Sequence, residues 1–359
     1  MKQVRSSAPQ LAEVQPYDPK YIPADVMISA NENPCDVPFE IRREIERAVR
    51  KVAFNRYPDP LANDLRDLIA EANGLNRDQV IMGNGGDELL FDMALAWGGP
   101  GRTFLNMPPT FTVYKNNAQL TNTAIVDVPR LDDFSIDEDA VVERLARGDI
   151  DYTIVTSPNN PTGRSVTGTF VERMLEASDA LVMVDEAYFE FSRYTVRPLL
   201  EKHENLVILR TFSKAFSLAG VRIGYLLGSE AVLREFKKVR QPYSVDAVSQ
   251  AIARVVFENR AQFEKGIDAI IEQRARILEA LDAMGGVKPY PSDANYVLFR
   301  LDDSFDAGQV WQRLLDAGVL VRDFSRAPYL ENCLRVSIGS EEENTRFLQE
   351  LEKALDASM

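Results

Sequence analysis

The sequence is poor in the two residue types that build metal centres and disulfide frameworks. Its 359 residues include two cysteines, Cys35 and Cys333, and a single histidine, His203. Two cysteines so far apart do not make a disulfide framework and do not have the spacing of zinc ligands. This scarcity argues against a structural metal and against a catalytic triad that depends on histidine.

The sequence also lacks a long apolar run, a signal-peptide core and any dense cluster of lysine and arginine. Acidic residues outnumber basic ones by 55 to 41, so the formal net charge is −14 and the pI is about 4.8. A membrane helix needs about 20 apolar residues, and a nucleic-acid binder normally carries a basic stripe. We therefore expect neither a membrane nor a nucleic-acid partner, and a cytoplasmic location.

Short apolar runs alternate with helical patterns over residues 26–245, and this alternation predicts the fold class. An unbroken apolar run is typical of a strand buried on both faces, and strands that alternate with helices indicate a parallel sheet. We expect an α/β fold, with a mostly parallel central sheet in this large domain and a helix at 89–96. The expected strands occupy residues 79–82, 102–106, 152–156, 181–184 and 206–209.

The pattern differs at both ends of the chain. Residues 1–25 are polar, contain prolines and show no periodicity, which indicates an N-terminal arm. Residues 246–359 carry two helical stretches, 247–258 and 263–284, followed by strands and helices in a less regular order, including one strand at 319–322. This segment predicts a smaller α+β domain.

Chemically useful residues follow the expected strands, at the edge where parallel sheets bind ligands. A lysine can form a Schiff base, a carboxylate can keep a ring nitrogen protonated, and an amide and a phenol can bond a ring hydroxyl. An aromatic side chain can stack on a ring, while a glycine turn with a serine and an arginine can hold a phosphate. Together this set describes pyridoxal 5'-phosphate. The residues concerned are Gly86, Asp87, Phe111, Asn160, Asp185, Tyr188, Ser213, Lys214 and Arg222.

Taken singly, these residues have plainer interpretations. A lysine after a strand is usually a solvated surface residue, and glycines are common in turns between a strand and a helix. Residues 83–88 match neither the dinucleotide fingerprint nor the P-loop. Arg322 and Arg335 lie in expected strands, where an arginine can form either a structural ion pair or a site for a substrate anion.

Short motifs spread over nearly the whole chain resemble those of fold-type I aminotransferases, and two of them resemble the histidinol-phosphate aminotransferase family in particular. SPNNPTG, DEAY and SKAFSLAGVRIG together are specific for fold-type I, whereas VRDF and CLRVSIG point to the narrower family. The motifs are SANENP (29–34), RYP (56–58), GNGGDE (83–88), SPNNPTG (157–163), VDEAY (184–188), TFSKAFSLAGVRIG (211–224), VRDF (321–324) and CLRVSIG (333–339).

The resemblance implies a role for each residue around the cofactor. Lys214 carries the cofactor and moves a proton at the substrate Cα, and Asp185 pairs with the ring nitrogen. Asn160 and Tyr188 bond the ring hydroxyl, and Phe111 stacks on the ring. The residues implied for the phosphate are Gly86, Asp87, Thr211, Ser213 and Arg222, with Tyr57 reaching in from the neighbouring subunit of a homodimer that shares its active sites.

The same resemblance implies the substrates, and it places the N-terminal arm beside the small domain. Arg335 holds a substrate carboxylate, and Arg322, Arg335 and Tyr17 hold the phosphate of histidinol phosphate, with Asn160 close by. Histidinol phosphate and 2-oxoglutarate would give imidazole acetol phosphate and glutamate, a step of histidine biosynthesis. Two residues depart from the family's usual choice, since Phe111 replaces a common tyrosine and Gly86 a common serine.

Three other functions are compatible with parts of this pattern. An aminotransferase for aromatic or other amino acids would use the same fold with a different side-chain pocket. A threonine-phosphate decarboxylase resembles the family closely but would not exchange with 2-oxoglutarate. A pyridoxal-phosphate sensor fused to a DNA-binding module would need a helix-turn-helix, for which the enzyme fold leaves almost no residues.

Overall fold

The computed structural model describes residues 5–12, 14 and 22–357. The strands in chain order are β1 (Val26–Met27), β2 (Val80–Asn84), β3 (Thr103–Asn106), β4 (Ala124–Asp127), β5 (Tyr152–Thr156), β6 (Leu181–Asp185), β7 (Leu206–Thr211), β8 (Ile223–Gly228), β9 (Val287–Pro289), β10 (Tyr296–Leu301), β11 (Val319–Leu320), β12 (Arg322–Asp323) and β13 (Cys333–Ser337).

The helices alternate with the strands over much of the chain. They are α1 (Phe39–Val49), α2 (Asn63–Asn73), α3 (Gly85–Trp97), α4 (Val113–Leu120), α5 (Glu138–Leu145), α6 (Gly168–Ala177), α7 (Phe189–Ser192), α8 (Glu230–Val239), α9 (Ala247–Glu258), α10 (Glu264–Asp282), α11 (Ala307–Asp316) and α12 (Glu341–Asp356). None of these described helices has the length and apolar character needed to cross a membrane.

A seven-stranded sheet in the order β2-β8-β7-β6-β5-β3-β4 forms the centre of the molecule. The strands from β7 to β4 are parallel, and β8 runs antiparallel to both of its neighbours. Both faces are covered, because Val182 and Val184 of β6 enter one hydrophobic core while Leu181 and Met183 enter the other. The predicted α/β fold with a mostly parallel sheet is confirmed.

A second sheet, in the order β12-β13-β10-β9, is antiparallel and lies in the C-terminal part of the chain. The expected single strand at 319–322 is wrong in detail, because its two halves join different sheets. β11 pairs with β1 near the start of the described chain, whereas β12 pairs with β13. Val321 separates the two, and its side chain is buried.

Two contacts cross the domain limits expected from the sequence. α9 follows residue 246 and packs against α1 and α2 of the expected large domain. The short 3-10 helix Pro9–Leu11 contacts α4 of the expected large domain, whereas the arm was expected beside the small one. The limits at residues 25 and 245 remain predictions.

Candidate active site

A cavity of about 290 Å³ lies at the carboxyl ends of β5, β6 and β7. It is bounded by the start of α3, by the loop that leads into α4, and by β12 and β13. The predicted site residues that line it are Gly86, Asp87, Phe111, Asn160, Asp185, Tyr188, Thr211, Ser213, Lys214, Arg222, Arg322 and Arg335. The fold thus brings together residues separated by almost 250 positions.

Lys214 lies in the turn that follows β7, at the wall of this cavity. Its Nζ donates a hydrogen bond to the carbonyl oxygen of Ala30 at 3.0 Å. Burial of the amine and the neighbouring Arg335 lower the pKa of Lys214 to about 8. An amine with such a pKa is available as a nucleophile or base at a pH where an ordinary lysine is almost fully protonated.

Asp185 ends β6 and is 4% exposed. Its Oδ2 accepts a hydrogen bond from the Tyr114 hydroxyl at 2.6 Å, and its Oδ1 accepts one from the Ala187 amide at 3.0 Å. Burial raises the pKa of Asp185 to about 6, while these two hydrogen bonds oppose the increase. A buried carboxylate facing a cavity is suited to a cationic partner in the ligand.

The start of α3 and the turn before β8 form a cradle for an anion. The first backbone N–H groups of α3, including those of Gly86 and Asp87, have no partner within the helix, and the helix dipole is positive there. Arg222 lies beside them, and its Nη2 donates to Asp87 Oδ2 at 2.8 Å. Asp87 therefore orients the guanidinium, and its own carboxylate is already paired.

Thr211 and Ser213 complete the cradle from the end of β7. The Thr211 hydroxyl donates to Ser213 Oγ at 2.9 Å, and both side chains are buried. Gly85 allows the close approach of these parts, because a Cβ at this position would lie 2.6 Å from Arg222 Nη2 and its φ is +77°. The site as a whole offers amides, hydroxyls and one guanidinium to a phosphate.

Arg322 and Arg335 occupy directly opposed positions of the antiparallel strands β12 and β13. Arg335 is 5% exposed, and its guanidinium donates to Asn160 Oδ1 and to the carbonyl oxygen of Ser29. Both guanidinium groups lie near the Phe324 ring, at 6.0 Å for Arg322 and 5.5 Å for Arg335. No carboxylate of the described residues forms an ion pair with Arg322.

Tyr188 is 5% exposed, and its hydroxyl oxygen accepts a hydrogen bond from Asn31 Nδ2 at 3.0 Å. Tyr57 does not line the cavity of its own chain. Its side chain is 82% exposed and stacks on Tyr243, with the ring centroids 4.6 Å apart. Tyr17 lies outside the described residues, so its predicted role remains a prediction.

Comparison with known proteins places the chain in a family. A profile of the family "Aminotransferase class I and II" matches residues 25–351. The chain belongs to this family. The aminotransferase is 38% identical to the histidinol-phosphate aminotransferase of Chlorobaculum tepidum over 331 residues, which cover 92% of this chain and 94% of that protein. It is 39% identical to histidinol-phosphate aminotransferase 1 of Carboxydothermus hydrogenoformans over 344 residues, covering 96% and 97%.

A solved structure agrees with the fold and the cofactor. The histidinol-phosphate aminotransferase of Sinorhizobium meliloti, in complex with pyridoxal 5'-phosphate, is 25% identical and superposes with a TM-score of 0.86, covering 93% of this chain and 92% of that one. The cavity of this aminotransferase fits the same group, because a lysine, a buried carboxylate and an anion cradle converge there. The expected family, fold-type I architecture, enzyme class and cofactor are confirmed.

Several residues of the aminotransferase site were not predicted from the sequence. Tyr114 and Thr156 are hydrogen-bonded to each other and Tyr114 to Asp185, and Asn31 contacts Tyr188. Asn31 could have been predicted from the sequence, because it belongs to the SANENP motif. Tyr114 gave no such signal, since its bond to Asp185 joins positions 71 residues apart.

Proposed function

We propose that this aminotransferase interconverts histidinol phosphate and 2-oxoglutarate with imidazole acetol phosphate and glutamate, a step of histidine biosynthesis. The curated relatives at 38% and 39% identity carry the name histidinol-phosphate aminotransferase and match over more than nine-tenths of the chain. Their names support the substrate assignment, and the site supplies an independent reason for it.

The observation that carries the proposal is the cross-strand pair of Arg322 and Arg335. Like charges at directly opposed positions of an antiparallel pair repel each other, so two guanidinium groups placed there favour an anion between them. Each guanidinium offers a planar fork of donors and a full charge, which suits a dianionic phosphate better than a carboxylate with one charge. Asn160 and the carbonyl group of Ser29 fix the direction of Arg335.

The two substrates of the exchange would share this site. Arg335 is nearly buried and oriented by two hydrogen bonds, so it can hold either the phosphate of one substrate or a carboxylate of the other. Arg322 is only partly buried, and the phosphate engages it in addition. Binding of both anions by a shared cationic site allows glutamate and histidinol phosphate to alternate in one cavity.

Pyridoxal 5'-phosphate, when bound, supplies an electron-withdrawing ring and carries the amino group between the two substrates. Asp185 would hold a proton on the ring nitrogen, and Phe111 would stack on the ring. Asn160 and Tyr188 would bond the ring hydroxyl. The phosphate would be held by Gly86, Asp87, Thr211, Ser213 and Arg222, which line the same cavity.

Lys214 is the residue that moves the proton of the reaction. Its Nζ accepts the proton from the substrate Cα in one half-reaction and returns a proton to Cα in the other. The lowered pKa, about 8, leaves a useful fraction of the amine unprotonated near neutral pH. The hydrogen bond to the Ala30 carbonyl oxygen keeps Nζ at the cavity wall.

The active enzyme is proposed to be a homodimer with shared sites. Tyr57 is 82% exposed and lies away from the cavity of its own chain. An exposed tyrosine next to a proline-rich turn can enter the phosphate cradle of a second copy. The cytoplasmic location and the absence of a nucleic-acid partner remain predictions from the composition.

The substrate is tested by a half-reaction screen of the wild-type enzyme. The loss of the visible band of the bound cofactor is followed after addition of histidinol phosphate, histidinol, phenylalanine or glutamate. We expect rapid reaction with histidinol phosphate and glutamate and slow reaction with the other two. Faster turnover of phenylalanine than of histidinol phosphate would move the assignment to an aromatic aminotransferase, and loss of carbon dioxide without exchange would move it to a decarboxylase.

A further inference from the structure

Tyr114 is a fully buried tyrosine of α4 that the proposed reaction does not yet use. Its hydroxyl donates to Asp185 Oδ2 at 2.6 Å and lies 2.7 Å from Thr156 Oγ1. Thr156 and Asp185 end the neighbouring parallel strands β5 and β6 and are register partners. The hydroxyl of Tyr114 thus bridges the carboxyl ends of two strands at the cavity wall.

The directions of these hydrogen bonds follow from the donors and acceptors present. An ionised Asp185 only accepts, so the single hydroxyl proton of Tyr114 is committed to Oδ2. Thr156 must therefore donate its own proton to the oxygen of Tyr114. Thr110 Oγ1 lies farther from Thr156 Oγ1, at 3.4 Å, so the 2.7 Å contact with Tyr114 takes the Thr156 proton. The order Thr156 to Tyr114 to Asp185 is the one arrangement that satisfies all three groups.

The ring of Tyr114 has a second contact with the site. It packs edge-on against Phe111, with the ring centroids 5.5 Å apart and the planes at 86°. Phe111 is the residue assigned to stack on the cofactor ring. One buried side chain therefore contacts both Asp185 and Phe111.

We propose that Tyr114 is a positioning residue that keeps Asp185 ionised and oriented toward the cofactor ring nitrogen, with Thr156 fixing the direction of the tyrosine proton. The proposal rests on the role of Asp185 given under the proposed function. It extends that role, because the carboxylate alone does not determine whether the shared proton resides on the ring nitrogen or on Oδ.

The surroundings of Asp185 make such a donor necessary. Burial raises the pKa of Asp185, and the nearby charges of Asp87 and Glu186 raise it further, while the hydrogen bonds from Tyr114 and the Ala187 amide lower it. Without the tyrosine hydroxyl, one of the two opposing hydrogen bonds is lost. The carboxylate then becomes a stronger base, and the proton moves from the ring nitrogen toward Asp185.

The other ionisable groups around Tyr114 do not replace this donor. Burial raises the pKa of Tyr114, and the nearby Asp185 and Tyr188 raise it further, so Tyr114 keeps its hydroxyl proton. Arg130 is a buried cation whose Nη1 donates to the carbonyl oxygen of Phe134. Within the described residues, the Asp185 side chain accepts hydrogen bonds from the Tyr114 hydroxyl and the Ala187 amide.

The test is Tyr114→Phe loaded with cofactor labelled with ¹⁵N in the ring, and the readout is the nitrogen chemical shift. We expect the shift to move from the value of a protonated ring nitrogen toward that of an unprotonated one. Thr156→Val should move it in the same direction by a smaller amount. Tyr152→Phe is the matched control, because Tyr152 is also buried in the same hydrophobic core but begins β5 at the opposite end from Thr156.

A second readout separates positioning from a general loss of structure. Because Tyr114 is proposed to act through Asp185, kcat should fall about tenfold to a hundredfold, the value of a hydrogen bond to a charged group, while KM stays nearly constant. The thermal transition of each variant reports whether it folds, and the nitrogen shift is interpreted for folded protein.

Asp185→Asn distinguishes failure of this proposal from failure of the proposed function. We expect the unprotonated shift in Asp185→Asn and an intermediate shift in Tyr114→Phe. A wild-type shift in folded Tyr114→Phe, together with an altered one in Asp185→Asn, would overturn the role of Tyr114 alone. A wild-type shift in Asp185→Asn would overturn the role of Asp185 and this inference with it.

Discussion

Two titratable side chains of the site are shifted in opposite directions by the same physical cause. Burial lowers the pKa of Lys214 to about 8 and raises that of Asp185 to about 6, because it disfavours the charged form of either group. Their partners come from distant segments, Ala30 for the lysine and Tyr114 for the aspartate. Residue types in the sequence indicate such chemistry, whereas the shifts arise only after folding.

The role of Lys214 is tested by its removal. Lys214→Ala should lose transamination almost entirely, since no other described lysine lines the cavity. Borohydride reduction of the wild-type holoenzyme should fix the cofactor on Lys214, as read by peptide mass spectrometry. Lys115→Ala is the control and should keep full activity, because Lys115 is exposed and pairs with Asp127. Cofactor fixed on a different lysine would contradict the assignment.

At the scale of elements, the helices and strands that were predicted correctly are those with a local sequence signal. The strand at 152–156 and the helix at 247–258 agree with β5 and α9 residue for residue. The start of α3 was placed four residues late, at 89 instead of Gly85, because glycines argue against a helix in sequence. In the fold Gly85 is favoured by the close approach of Arg222, because a Cβ there would lie 2.6 Å from Arg222 Nη2.

The site residues also divide into those with a local sequence signal and those whose positions depend on tertiary structure. Residues in short motifs at strand ends were found, because parallel strands bring their carboxyl ends to one edge. The opposed positions of Arg322 and Arg335 could not be read from the sequence, since register across two strands depends on the intervening loop. The bond between Tyr114 and Asp185 depends in the same way on how α4 packs on the sheet.

The cradle at the start of α3 is tested by Gly85→Ala. The added Cβ would lie 2.6 Å from Arg222 Nη2, at a backbone φ of +77°. The displaced Arg222 would lose a hydrogen bond to a charged group, worth roughly 1.5–3 kcal/mol, so the dissociation constant of the cofactor should rise about tenfold or more. Gly266→Ala is the control, because nothing lies within 4 Å of its Cβ position. Equal cofactor affinity in both variants, measured by fluorescence titration, would refute the cradle.

A buried carboxyl group on α7 makes stability depend on pH. Burial raises the pKa of Glu190 to about 8, so the folded state binds a proton that the unfolded state has released above the ordinary glutamate pKa. The free energy of unfolding should therefore fall as pH rises from the ordinary glutamate pKa toward about 8. The slope is up to about 1.4 kcal/mol per pH unit for this one proton.

The expected result is a smaller loss of stability with pH in Glu190→Gln than in the wild type. Urea denaturation of both proteins, from the ordinary pKa of glutamate up to about pH 8, measures the difference. Glu352→Gln, on the exposed side of α12, is the control and should follow the wild type. Parallel curves for Glu190→Gln and the wild type would show that Glu190 does not hold a proton in the folded state.

At the scale of the whole molecule, the proposed sharing of sites between two subunits predicts complementation between two defective chains. Mixed dimers of Lys214→Ala and Tyr57→Phe chains contain one site with both groups intact. That site should turn over faster than the two parent homodimers together, because the wild-type lysine and tyrosine then meet in one cavity. Mixed dimers are purified with two affinity tags and assayed at equal cofactor loading. An active enzyme that is monomeric in solution would end the proposal.

The central claim is that Arg322 and Arg335 form a phosphate site, and Arg322→Ala tests it most directly. The measurement is kcat/KM of the variant with histidinol phosphate and with glutamate, beside Arg326→Ala, an exposed arginine of the same loop region, as control. Hydrogen bonds to charged groups contribute roughly 1.5–3 kcal/mol, so Arg322→Ala should lose about tenfold to a few hundredfold with histidinol phosphate and much less with glutamate. Equal losses with both substrates, or none with histidinol phosphate, would contradict the phosphate site.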